Sequence, residues 1–186
     1  MSNTTNMNQA TKVITGEVRF SYLHVFEKSS INGSDEKYSV SLLIQKSDKK
    51  TIAAINKAVE AAKQAGIGKF GGKIPAVLKL PLRDGDDERP DDETYAGCYF
   101  VNANCNQQPG LVYKNGQPIN DSTDLYSGCY GHASINFYAF NSNGNKGIAC
   151  GLNHLMKTRD GEPLGGRGRV EDDFAGFIEE DEDYLS

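Results

Sequence analysis

Apolar and polar residues alternate through "EKYSVSLLI" so regularly that Tyr38, Val40, Leu42 and Ile44 fall on one face, with Lys37, Ser39 and Ser41 on the other. A period of two belongs to a half-buried strand, and such a strand needs sheet partners along its edges. "GEVRFSYLHVF" supplies one, reading Val18, Phe20 and Tyr22 against Glu17, Arg19 and Ser21. "CYFVNA" is a short strand, and "LVYKNGQPI" predicts a hairpin turning at Asn115-Gly116. "GHASINFYAFN" and "GIACGLNHLMK" flank "NSNGNK", which predicts a long hairpin with a loose tip.

One segment breaks the period. "TIAAINKAVEAAKQAG" repeats at helical spacing, with Ile52, Ile55, Val59 and Ala62 on one stripe. Ser47 is the expected N-cap, Asp48 suits the positive helix end, and Gly66 is the expected stop. Strands, one helix, then more strands do not make the β-α-β alternation of a parallel sheet. The pattern predicts a mainly β chain, an OB-fold-like antiparallel Greek-key barrel with one inserted α-helix. At 186 residues one domain is expected, here residues 12–169, after a flexible 1–11 and before an acidic tail at 170–186.

Charge is divided unevenly. Residues 171–186 hold eight of the 25 acids and none of the 20 bases, so the rest of the chain carries a small basic excess. A basic body with an acidic appendage points to a nucleic-acid binder. No apolar run approaches the ~18 residues of a membrane span, and "MSNTTNMNQATK" resembles no targeting peptide. Cys98, Cys105, Cys129 and Cys150 form no C-x-x-C pair and read as buried reduced thiols.

The short motifs exclude more than they support. "GIGKFG" matches G-x-G-x-x-G but follows a helix instead of a strand, which is the wrong context for a dinucleotide site. It reads as a loop whose Lys69, Phe70 and Lys73 can clamp a nucleic-acid strand. "RDGDDERPDDET" clusters carboxylates without the spacing of a calcium loop, so a solvated acidic loop is expected between Asp84 and Glu93. His24, His132 and His154 are dispersed, and no nucleophile–base pairing is present. Neither enzyme, metal nor cofactor is expected.

"GCYGHASINFYAFN" carries the most information. Ala133, Ile135, Phe137 and Ala139 make a core face. Tyr130, His132, Ser134, Asn136, Tyr138 and Phe140 make the other, where aromatics alternate with small hydrogen-bonding groups. Single-stranded nucleic acid stacks on such platforms, because every base has a π-face. Arg19, Lys146 and Arg159 are further candidate DNA contacts, and the basic "GGRGR" adds Arg167 and Arg169. In the tail, Phe174, Phe177 and Tyr184 interrupt the acids and offer a partner protein something to grip.

From "VRFSYLHVFE" through "GGKIPAVLKLPLRDGD", "YAGCYFVNA" and "YSGCYGHASINFYAFNSNGNKGIACGLNHLMKTRDGEPLGGR" to "EDDFAGF", the chain resembles a family of bacteriophage single-stranded-DNA-binding proteins. The resemblance covers about residues 13–177. It implies an OB-fold that binds single-stranded DNA with little sequence preference during phage replication, recombination or repair, in the cytoplasm of the bacterial host. It also implies a tail that recruits phage or host replication and recombination proteins, although this tail ends Tyr184-Leu185-Ser186 and not in an aromatic residue. A monomer or homodimer fits equally. Two other classes remain open: a structural phage protein whose aromatic strand is an oligomer interface, and a small metal-dependent enzyme using the Asp84–Glu93 loop.

Overall fold

The structure, a computed structural model, describes residues 10–30 and 35–164. Eight strands run in the order β1 (Lys12–Ile14), β2 (Val18–Ser29), β3 (Lys37–Gln45), β4 (Arg83–Asp84), β5 (Cys98–Cys105), β6 (Gly110–Tyr113), β7 (Tyr130–Ser142) and β8 (Asn145–Arg159). One long helix, α1 (Lys49–Ala65), lies between β3 and β5. Five strands close a ring: β7 pairs β2, β2 pairs β3, β3 pairs β5, β5 pairs β8, and β8 returns to β7. This is the expected OB-fold-like barrel. The ring is not wholly antiparallel, because β5 and β8 join in parallel at Ala103–Cys150 and Asn104–Gly151. β1 extends along β7, and β6 adds a parallel strand outside β8.

The inward faces make the core. Phe20, Leu42 and Val101 lie side by side across β2, β3 and β5, and each is fully buried. Ala133, Ile135, Phe137 and Ala139 of β7 are buried as the alternation requires, and Ile148, Cys150, Leu152 and Leu155 of β8 complete the interior. Helix α1 packs chiefly against β7 and buries Thr51, Ile55, Ala58, Val59 and Ala62, while Ile52 stays half-buried. Its N-cap is Asp48, not Ser47: the Asp48 carboxylate accepts the Thr51 N–H. Gly66 does end the helix, for a packing reason. Its φ is −97°, and a Cβ there would meet the Ala139 Cβ at 2.1 Å.

Three further expectations are corrected. Tyr22 does not join Val18 and Phe20 inside, because a bulge between Ser21 and His24 hands its inward place to Leu23. The hairpin tip at 143–144 is tight, with Asn143 and Gly144 at φ 52° and 85°, as a two-residue primed turn requires. The acidic stretch 83–94 is no free loop. It lies on the outer side of β5, where Lys46 Nζ reaches Asp84 at 2.8 Å and Asp86 at 2.7 Å and Arg83 reaches Glu88 at 2.6 Å.

Tyr95, which follows this stretch, drops onto Phe100 edge-on at 5.1 Å and buries Ser41 and Leu43 beneath it. The Tyr95 hydroxyl sits 3.3 Å from both Ser21 Oγ and Ser41 Oγ, so these buried hydroxyls are satisfied. The outward face of β3 is therefore covered here instead of solvated. All four cysteines are free, and burial pushes the Cys150 thiol well up. Among the described residues no helix is long and apolar enough to cross a membrane.

Candidate nucleic-acid interface

β2 and β7 meet at Arg19 and Tyr130, which are direct register partners. β8 delivers Arg159 to the same point, again opposite Tyr130. The Arg159 guanidinium lies 3.8 Å from the Tyr130 ring centroid and that of Arg19 lies 5.4 Å from it, both within cation–π range. Neither arginine is loose. Arg19 donates from Nε to the Gly128 carbonyl at 3.0 Å and from a terminal nitrogen to the Glu162 carbonyl at 2.7 Å. Arg159 donates from Nε to Glu17 at 2.9 Å, and the Thr158 hydroxyl donates to the other Glu17 oxygen at 2.7 Å. The Thr158 hydroxyl first and the Arg159 guanidinium second hold the Glu17 carboxyl below its ordinary value.

This cluster lines an open cleft of about 350 Å³ together with Leu43, Gln45, Thr94, Ala96 and Cys98. Carbonyls and Glu17 use only some of the ten N–H groups that two guanidiniums provide. What the arrangement offers is a π-surface flanked by fixed cations, which suits a base and its phosphates. Among the described residues no cluster of three or more His, Cys, Asp or Glu is placed to hold a metal ion.

The chain matches, over residues 11–185, the family described as the single-stranded-DNA-binding protein of Enterobacter phage Enc34. It belongs to that family. Protein p50 of Acyrthosiphon pisum secondary endosymbiont phage 1 is 31% identical over 169 residues, covering 84% of this chain and 88% of the relative. The single-stranded DNA-binding protein from bacteriophage Enc34, solved in complex with ssDNA, superposes with a TM-score of 0.69 at 25% identity, covering 84% of this chain and 91% of that one. The fold alone is shared with gp2.5, the single-stranded DNA-binding protein encoded by bacteriophage T7, with a TM-score of 0.61 at 16% identity over 91% of this chain and 95% of that one.

Within this phage single-stranded-DNA-binding family member, the candidate residues divide into three groups. Arg19, Tyr130 and Arg159 come together as described. His132, Asn136, Tyr138 and Phe140 continue along the outer side of β7. Small partners on β8 leave room for three of them, since Asn136 faces Gly151, Tyr138 faces Ala149 and Phe140 faces Gly147, whereas His132 faces Met156. Tyr138 is 39% exposed, whereas His132, Asn136 and Phe140 are half-buried, and His132 Nδ1 lies 3.0 Å from the Thr15 carbonyl.

The third group is spread around the hairpin end. Lys69 is exposed, but its Nζ is tied to the Ala139 carbonyl at 3.1 Å; Lys73 is exposed, and Lys146 is half-buried. Phe70 is a correction: it is only 4% exposed and belongs to the core, because the 3-10 turn Ile67–Phe70 rolls its ring inward after α1. Arg167, Arg169, Phe174, Phe177 and Tyr184 lie outside the described residues.

Three residues that the sequence reading did not nominate are also accessible or stand beside an accessible ring. Tyr22 is 55% exposed, Arg89 lies 5.9 Å from its ring, and Asn102 is exposed on β5. Alternation had assigned Tyr22 to the core, and Arg89 was hidden in an acidic run. No local signal marks either.

Proposed function

We propose that this protein binds single-stranded DNA with little sequence preference, as part of phage DNA replication, recombination or repair in the host cytoplasm. The observation that carries this reading is the Tyr130 ring held beneath the Arg19 and Arg159 guanidiniums at the mouth of an open cleft. A rigid ring with fixed cations accepts any base and tracks a backbone, and it reads no base edge. The DNA strand runs over this cluster and onto the strip of His132, Asn136 and Tyr138 beside it.

Titration of labelled oligo-dT, oligo-dA and duplex DNA at two salt concentrations tests the proposal. Both single strands should bind far more tightly than duplex. A handful of converging bases predicts a log–log salt slope of about −2 to −4, at roughly −0.7 per phosphate neutralised. Equal or tighter duplex binding contradicts the reading.

The acidic tail acts on the same site. The described chain leaves the barrel beside it: Glu162 accepts from Arg19, and the Leu164 N–H donates to the Ser127 carbonyl. From Leu164 to Phe174 is a tether of at most about 35 Å, so the eight carboxylates compete with phosphate at high effective concentration. Once displaced by DNA, the tail presents Phe174, Phe177 and Tyr184 to replication or recombination proteins. Truncation after Arg169 should tighten oligo-dT binding several-fold at low salt, fade in effect as salt rises, and abolish partner capture. Unchanged affinity and undiminished capture would leave the tail without this role.

A further inference from the structure

Tyr22 sits in a conformation that its residue type resists. Its φ is 46°, in the left-handed region that glycine and asparagine adopt readily and a bulky aromatic does not. It occupies the bulge between Ser21 and His24, the kind of defect that re-aims a side chain. The bulge has two visible effects. It lets Leu23 take the inward position, with its N–H donating to Ser127 Oγ at 2.9 Å, and it throws the Tyr22 ring to the outside, 55% exposed. Backbone strain in an ordered strand persists where the surrounding structure enforces it, and such residues cluster at functional sites.

A second observation concerns Arg89. Its guanidinium lies 5.2 Å from the Tyr95 ring, 5.5 Å from Phe100 and 5.9 Å from Tyr22. Tyr95 and Phe100 are buried, so Arg89 is seated on a fixed aromatic base and stands beside an open ring. This repeats, three residues along β2 from Arg19, the combination of ring and guanidinium found at Tyr130. Three strand residues span about 10 Å.

We propose that Tyr22 is a second base-stacking platform, with Arg89 holding its orientation and facing the adjoining phosphate. The inference rests on the single-stranded-DNA reading above, and it assigns the ligand as an unpaired nucleobase of the same strand. The bulge then has a purpose, since a glycine there would relieve the backbone and remove the platform.

Oligo-dT binding and thermal melting of the full chain carrying Tyr22→Ala, Tyr22→Gly or Tyr22→Trp test the inference. Tyr22→Ala and Tyr22→Gly should weaken binding roughly five- to 150-fold, the range of one stacked base. Tyr22→Gly should melt no lower than wild type, because glycine accepts the positive φ. The native chain has no tryptophan, so Tyr22→Trp introduces a single reporter, which should bind like wild type and be quenched by oligo-dT. Wild-type affinity in Tyr22→Ala and Tyr22→Gly overturns the inference while leaving the DNA-binding reading intact. A Tyr22→Gly protein that melts well below wild type makes the ring structural and overturns it too. Failure of the wild-type protein to bind oligo-dT removes both readings together.

Discussion

Phe137→Ala should lower the melting temperature by roughly 6–20 °C, whereas Tyr138→Ala, one residue along, should leave it within a few degrees. Phe137 is 2% exposed in the barrel interior, and removing a buried phenylalanine ring costs about 3–5 kcal/mol. In a domain of this size each kcal/mol shifts the midpoint by about 2–4 °C. Tyr138 points to the other side of β7, 39% exposed, so its truncation leaves no cavity. The strand's period of two makes the contrast, since neighbouring residues face opposite environments. Differential scanning calorimetry of the two variants beside wild type measures it. Similar losses in both would mean that the outer strip of β7 is itself packed against something.

That contrast rests on a pattern visible in the sequence. β3 and β7 declare themselves by alternation, β8 as the second arm of the hairpin that β7 begins, α1 by its helical stripe, and Ala133, Ile135, Phe137 and Ala139 fall inside as their spacing requires. Local pattern fails where tertiary contacts decide. Ser21 and Ser41 read as solvent-facing, yet Tyr95 arrives from more than fifty residues away to bury both. Tyr22 reads as core because alternation assumes an unbroken strand, and a bulge reverses parity from that point on. Phe70 reads as a loop aromatic because the 3-10 turn that rolls it inward has no sequence signature.

The candidate interface follows the same rule. Arg19, Tyr130 and Arg159 could each be nominated singly as a base or an aromatic on a strand. Their convergence depends on the ring order, in which β7 lies between β2 and β8. That order is set by the closure of the barrel, not by any one segment. The acidic stretch 83–94 shows the converse. Its composition suggested solvation, and Asp86, Asp87, Glu88, Asp91 and Glu93 are indeed exposed, but the bases that tie it down, Lys46 and Arg83, belong to the barrel face it covers and to its own strand β4. Asp84 and Asp86 consequently lie below the ordinary carboxylate range, each held there first by the Lys46 ammonium.

The second large effect concerns Tyr130. Tyr130→Ala removes the ring against which the Arg159 and Arg19 guanidiniums lie, so it takes away the aromatic surface while both arginines keep their hydrogen bonds to Glu17, Gly128 and Glu162. One stacked base contributes roughly 1–3 kcal/mol, a loss of affinity of about five- to 150-fold. The ring is half-buried at the cleft mouth and not in the interior, so the fold should survive its removal. Tyr138→Ala should lose affinity within the same range, if the strand follows β7 as proposed.

The most direct measurement is an oligo-dT titration at low salt of wild type, Tyr130→Ala and Phe137→Ala, with the melting temperature of each recorded alongside. The account predicts that Tyr130→Ala melts close to wild type but binds at least fivefold more weakly, and that Phe137→Ala melts far lower yet binds like wild type at temperatures where it is folded. A Tyr130→Ala protein that is folded and binds oligo-dT with wild-type affinity would contradict it.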